Sequence, residues 1–233
     1  MAGNRDSHRP RLFGQRKFLT TISVTLTFVQ MNTVRTSISS GKVLKLLPLL
    51  GEETVVNAHK PTVRNAGEHI LRAVRDGGSN SILRIDATGI ALGASVIAQL
   101  LAPVLEQIVK GEIEDRYIAV YDPSGENEWE ADAALKRQSE EGSKLICVWA
   151  QSEGRPKLVG SVDKQVQHTY NFVWECMVAN RVSTAREMAE ANGLTIQAAS
   201  NRLSKANELG VIIVESVDPI AGGGVQKIYR PVQ

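Results

Sequence analysis

Between Gly41 and Ala150 the chain alternates short apolar runs with longer stretches whose apolar residues recur every three or four positions. VLKLLPLL and ETVVNA read as strand-type runs, with breaks at Pro48 and Gly51. TVRNAGEHILRAVRDGG puts Val63, Ala66, Ile70, Leu71 and Val74 on one helical face and stops at Gly77 and Gly78. SILRIDATG is a buried strand closed by a turn. GASVIAQLLAPVLEQIVKG predicts a helix from about Ala94 to Lys110, kinked or broken at Pro103. DRYIAVYDPSG gives another strand and turn, EWEADAALKRQSEEG an exposed charged helix, and KLICVWA a fully apolar strand. This alternation over 52–150 predicts an α/β sandwich with helices covering a central sheet.

GRPKLVGS interrupts that composition, and residues 154–162 read as a linker. Beyond it the pattern changes class. VDKQVQHTYNFVWECMVAN is a helix with Val166, Tyr170, Val173, Trp174 and Met177 on one side, and STAREMAEANG is a short second helix. TIQAASNRLSKANELG is a third, with Ile196, Ala199, Leu203, Ala206 and Leu209 spaced to face a core. VIIVESVDPIAGGGVQKIYRPV reads as two strands around a Pro/Gly loop. The local signals agree: Thr184 with Glu187 fits a capping box, Asn192-Gly193 supplies a left-handed stop, and Thr195 caps the third helix. The expected organisation is a disordered or incidental extension over 1–40, an α/β domain over 41–153, the linker, and an α+β domain over 163–233.

Bulk composition narrows the function. The 233 residues are 42% hydrophobic and 22% charged with a formal net charge of +2, which excludes a disordered chain and a protein that coats nucleic acid by bulk charge. Arg5, Arg9, Arg11, Arg16 and Lys17 against Asp6 give +4 before residue 31, and taking that from +2 leaves −2 for the remainder. Nucleic-acid binding would therefore depend on local placement. Cys147 and Cys176, both in apolar settings, read as buried small hydrophobes that fit a reducing cytoplasm, with no disulfide framework. FLTTISVTLTFV, after Arg16 and Lys17, is too short and too rich in threonine for a membrane span, which needs about 20 apolar residues. It reads as an incidental extension ahead of a start at Met31, the other readings being a targeting signal or an extra strand.

The C-terminal order of three helices and a hairpin, with Thr195, Ala198, Ser200, Leu203, Gly210 and Ile212 in the pattern T-x-x-A-x-S-x-x-L…G-x-[IV], resembles the winged helix-turn-helix regulators of bacteria and archaea over about 163–233. The resemblance implies a third helix in the DNA major groove. Gln197 and Asn201 would meet base edges, and Ser200, Arg202, Ser204 and Lys205 phosphates or bases. Lys227 on the return strand would add a further contact. The loop between the strands has no Lys or Arg at its tip and carries Asp218, and Gly222 to Gly224 read equally as backbone amides open to a phosphate or as a flexible turn, so little contribution is expected from the wing. Residues 179–233 hold six basic and five acidic groups, so one copy would bind DNA weakly and a homodimer is expected. The bland reading of the same polar face is a solvated surface on a protein-binding domain.

In the N-terminal part, Ile85, Asp86, Thr88, Gly89 and Ile90 resemble the [LI]-D-[FL]-[ST]-G-[VI] strand end of STAS-like domains related to anti-sigma-factor antagonists. Phosphorylated members open the next helix with Asp-Ser-Ser/Thr-Gly. Here Leu92-Gly93-Ala94-Ser95-Val96 lacks the aspartate and leaves Ser95 as the only hydroxyl. Ser95 and Asp86 are thus candidate regulatory residues, with a helix-start serine and a turn-forming aspartate as the simpler readings. No catalytic site, metal site or cofactor is expected. D-A-T-G lacks the final threonine of D-x-T-G-T phosphotransferase loops, EEGSK lacks the glycine spacing of a phosphate-binding loop, and His59, His69 and His168 have no metal-ligand spacing. The expectation is a cytoplasmic transcriptional regulator that binds double-stranded DNA, with a STAS-like domain sensing a signal, dimerising or binding a protein partner. The alternative is a partner-switching module that does not bind DNA.

Overall fold

The apolar run after Gly41, read above as one strand, divides in two: Lys42–Lys45 is a strand, β1, and Leu46–Leu50 a one-turn helix, α1. Pairing sets the change. Lys45 lies opposite Asp86, the last residue of the neighbouring strand, so no ladder remains for Leu46. Pro48 then falls in the first helical turn, where a missing N–H is tolerated. The structure, a computed structural model, describes residues 41–51, 58–140, 143–220 and 223–233, all within one compact unit, Ser39–Gln233. The extension expected over 1–40, the residues of ETVVNA before Ala58, and Gly222 lie outside the described residues.

The remaining elements follow in order: α2 (Pro61–Arg75), β2 (Ser81–Asp86), α3 (Ala94–Val109), β3 (Arg116–Tyr121), α4 (Glu128–Glu140), β4 (Ile146–Ala150), β5 (Lys157–Gly160), α5 (Lys164–Val178), α6 (Ala185–Asn192), α7 (Ile196–Glu208), β6 (Ile212–Pro219) and β7 (Val225–Pro231). The protein is a mixed α/β structure with a mostly parallel five-stranded sheet. Sheet order equals chain order, β1 to β5. The first four strands are parallel, and β5 runs antiparallel to β4. Crossovers of one hand that always step to the next strand must place their helices on the same face of the sheet. The core bears this out. Leu83, Ile85, Ile118, Val120, Cys147 and Trp149 point to the side covered by α2, α3 and α4.

Alternation sends Ile82, Tyr117, Ala119, Ile146, Val148 and Leu158 to the opposite face, which would be bare if the protein ended at β5. Instead these residues share one core with Val166, Tyr170, Val173, Met188, Leu203 and Ile212 from the C-terminal helices and hairpin. A sheet covered on both faces explains why β4, ICVWA, is apolar throughout. The linker expected over 154–162 contains β5. Trp149 pairs with Lys157 and Ile146 with Gly160, and the Asp132 carboxylate accepts a hydrogen bond from the Gly160 N–H at 3.0 Å.

Two further expectations change. Of the kink or break expected at Pro103, the break does not occur, since α3 runs through it over the span the spacing predicts. Proline cannot donate to the carbonyl four residues back, and that oxygen, on Gln99, faces Gly67 of α2, where a Cβ would lie 2.8 Å away. Gly67 lets the two helices close over the freed carbonyl. Helix α4 is charged but not simply exposed, since Ala131, Ala134 and Leu135 are buried against the sheet.

Candidate functional site

Helix α7 has two differently used faces. Ala199, Leu203 and Ala206 are buried, with Leu209 just beyond the last turn. Ile196, expected to face the core, is 55% exposed. It is the first helical residue, outside the turn in which Ala199 and Leu203 meet the core. Thr195 holds the start of the helix by accepting a hydrogen bond from the Ala198 N–H at 3.2 Å. The preceding turn is equally local in origin. Thr184 accepts from the Glu187 N–H, and Gly193, at φ 62°, closes α6 in the left-handed conformation.

Two phenols fix the inward side of α7. Tyr229 of β7 hydrogen-bonds the Ser204 side chain, and burial raises its pKa against the opposing effect of that bond. Tyr117 of β3 accepts from Asn207 Nδ2 at 2.9 Å, and burial likewise raises its pKa against the effect of Asn207. Asn207 Nδ2 also donates to the Ile212 carbonyl, also at 2.9 Å. One amide thus ties the end of α7 to both the sheet and the hairpin. The hairpin is held in turn. Tyr229 N–H donates to the Ser183 carbonyl, the Ser183 hydroxyl donates back to the Tyr229 carbonyl, and the Tyr170 hydroxyl donates to the Val232 carbonyl. Arg84, on the sheet face below, donates to the Gln233 carbonyl at 3.1 Å, and burial first and then Arg230 lower its pKa.

The outward face of α7 carries Gln197, Asn201, Lys205 and Glu208, all exposed and spaced by four, four and three residues. Gln197 Nε2 donates to Asn201 Oδ1 at 2.9 Å, and Lys205 lies 3.6 Å from Glu208. Of the residues predicted from the sequence, Gln197, Asn201 and Lys205 therefore form one stripe. Ser200, Arg202 and Ser204 are half-buried at its sides, with Ser204 engaged by Tyr229. Lys227 is exposed on β7, opposite Val217. Sequence reasoning did not single out Glu208, Asn207, or the exposed Arg181 and Arg186 before and within α6. The three-residue spacing from Lys205 to Glu208 was available as a signal. Nothing local marks Asn207, whose phenolic partner is 90 residues away.

The other candidate region lies at the carboxyl ends of the parallel strands. Asp86 Oδ1 accepts from the Thr88 N–H at 3.0 Å and its hydroxyl at 2.5 Å, a side-chain-closed turn. Ser95 is exposed in the first turn of α3. Beside it, the Ala94 N–H donates to Glu130 at 3.0 Å, so a carboxylate already occupies the positive end of that helix. Behind these residues, Asp122 is buried and accepts from the Ser124 hydroxyl, the Asn127 N–H and the Trp149 indole N–H. Asn127 accepts from the Leu92 N–H and donates to the Ile90 carbonyl. Among the described residues, no group of three or more His, Cys, Asp or Glu is placed to hold a metal ion, and no helix is long and apolar enough to cross a membrane. Compared with protein-family models, with curated proteins and with solved structures, the chain finds no match.

Proposed function

We propose that this protein is a cytoplasmic, DNA-binding transcriptional regulator. Residues 163–233 act as a winged helix-turn-helix, with α7 in the major groove. The parallel sheet with its helices acts as a STAS-like module that senses a signal, dimerises or binds a protein partner. The observation that carries this reading is the division of α7. Its inward face is committed to the core and to two phenols, while Gln197, Asn201 and Lys205 stand outward in a row that the fold does not need. Gln and Asn can pair with base edges and Lys with phosphates. The shared core argues against a reading head that swings on a linker, because such motion would separate Leu203 and Val173 from Ile82 and Val148. A signal would act on how two copies are arranged. Trp129, 76% exposed at the start of α4, is an apolar anchor for a protein partner of the STAS-like module.

The test is fluorescence anisotropy of the full chain against its own upstream DNA and a scrambled duplex at two salt concentrations. Tighter, salt-sensitive binding to the upstream DNA is expected, and combined Asn201→Ala and Lys205→Ala changes should abolish it. Equal, feeble binding to both duplexes refutes the reading. One observation favours the alternative, a partner-switching module that never touches DNA. The hairpin exposes Val217, Ile220 and Val225 towards its tip, and Asp218 between them would repel phosphate. Under that reading the same double variant leaves complex formation with a protein partner unchanged.

A further inference from the structure

The two outward amides of α7 are not equivalent. Gln197 Nε2 donates to Asn201 Oδ1 at 2.9 Å across one helical turn, and both side chains are exposed. The bond uses one lone pair of Asn201 Oδ1 and leaves its second lone pair and both Nδ2 hydrogens available. It also fixes which way round the Asn201 amide sits. The next outward residue, Lys205, is engaged by Glu208 and offers only donors.

We propose that Asn201 reads adenine and that Gln197 is its positioning residue, setting the edge of the Asn201 amide that meets the base; this rests on the DNA-reading function above. Adenine presents an acceptor, N7, beside a donor, the N6 amino group. An asparagine held in one orientation matches that pair with Nδ2 donating to N7 and Oδ1 accepting from N6. Guanine presents two acceptors, N7 and O6. Asn201 Oδ1 would then oppose an acceptor whichever way round the amide sits, so guanine is poorly matched in both orientations. The match to adenine, and with it the preference over guanine, therefore depends on a residue that does not itself need to touch the base. Glutamate at 197 would accept from Asn201 Nδ2, turning the amide over and removing the match to adenine. Alanine would leave the amide free to adopt either orientation.

The experiment selects binding duplexes from a library with a randomised core, using the full-length wild type, Asn201→Ala, Gln197→Ala and Gln197→Glu. Binding of the enriched duplex is then measured with adenine, guanine or 7-deazaadenine at the read position. Both side chains are exposed, so thermal unfolding should be unchanged in the variants, which separates lost reading from lost folding. Wild type is expected to enrich an adenine and to lose roughly tenfold in affinity with 7-deazaadenine, an effect absent from Asn201→Ala. Gln197→Glu should lose roughly tenfold of the adenine-over-guanine preference beside a loss common to all duplexes from its added negative charge, and Gln197→Ala a smaller part of that preference while binding the guanine duplex about as well as wild type does. The proposal fails if 7-deazaadenine is harmless to wild type, or if the Gln197 variants weaken all duplexes equally. Those results leave DNA binding standing. A wild type that enriches no sequence overturns both this proposal and the DNA-reading function.

Discussion

The loops at the carboxyl ends of the parallel strands and the outer face of α7 are both rich in carboxylates and amides, but they use them in opposite ways. At the strand ends the polar groups are turned inward on one another. Asp122 holds Asn127 and Trp149, Asn127 holds the 90–92 loop, Glu130 caps α3, and Glu128 takes Lys157 at 2.8 Å and Gln151 at 2.7 Å. On α7 the inward polar residues, Ser204 and Asn207, are the ones that serve the fold, and among the described residues the outward stripe pairs only with itself. A polar cluster at the end of a parallel sheet is a customary place to look for a ligand. Here its hydrogen-bonding capacity is largely spent on joining three loops, whereas the stripe on α7 retains donors and acceptors for another molecule.

Substitutions can break this contrast, and the largest effect is expected at the strand ends. Asp122→Ala strips partners from the Trp149 indole and the Asn127 N–H in a buried setting and should cost about 3 kcal/mol in urea unfolding. A loss below about 1 kcal/mol would show that the network is dispensable. Asn207→Ala removes the tie from α7 to Tyr117 and Ile212 and should cost about 1.5 kcal/mol. It should also weaken DNA binding although Asn207 lies off the outward stripe, and unchanged affinity would show that α7 is held without it. Asn201→Ala and Lys205→Ala should each shift stability by less than about 0.5 kcal/mol, so that a large loss of stability would place them in the fold and not on a binding face.

Cys147 sharpens the comparison from inside the sheet. Burial pushes its thiol up from 9.0 to about 12. A group whose folded pKa is raised contributes stability that is fully present below the unfolded pKa, near 9, and is lost as pH rises from there towards 12. Stability of the wild type should therefore decline more steeply than that of Cys147→Ala across this alkaline window. A thiol reagent should label Cys147 only as fast as the protein unfolds; rapid labelling of the native protein would show that the sheet face opens.

Much of the fold was legible because its signals are local. Thr184, Gly193 and Thr195 mark the ends of α6 and the start of α7 through bonds to residues five or fewer positions away. The apolar spacing of Val63, Ala66, Ile70 and Val74 located the buried side of α2. The errors have nonlocal causes. Leu46 leaves the strand because β2 ends opposite Lys45, and α3 passes Pro103 because Gly67, on another helix, makes room for the Gln99 carbonyl. Ile196 had the spacing of a core residue, but the neighbouring elements do not reach the first residue of α7.

For the candidate site, the sequence by itself determined where α7 begins and ends and that one of its faces is polar, since caps and a 3.6-residue period act within a few turns. Only the tertiary structure decided which polar residues are spent and which stand free. Ser204 belongs to Tyr229 and Asn207 to Tyr117, partners brought close by the packing of the C-terminal helices on the second face of the sheet. Serine and asparagine have the same chemistry inside and outside a fold. What separates their roles is the neighbour, and here the neighbour comes from a distant part of the chain.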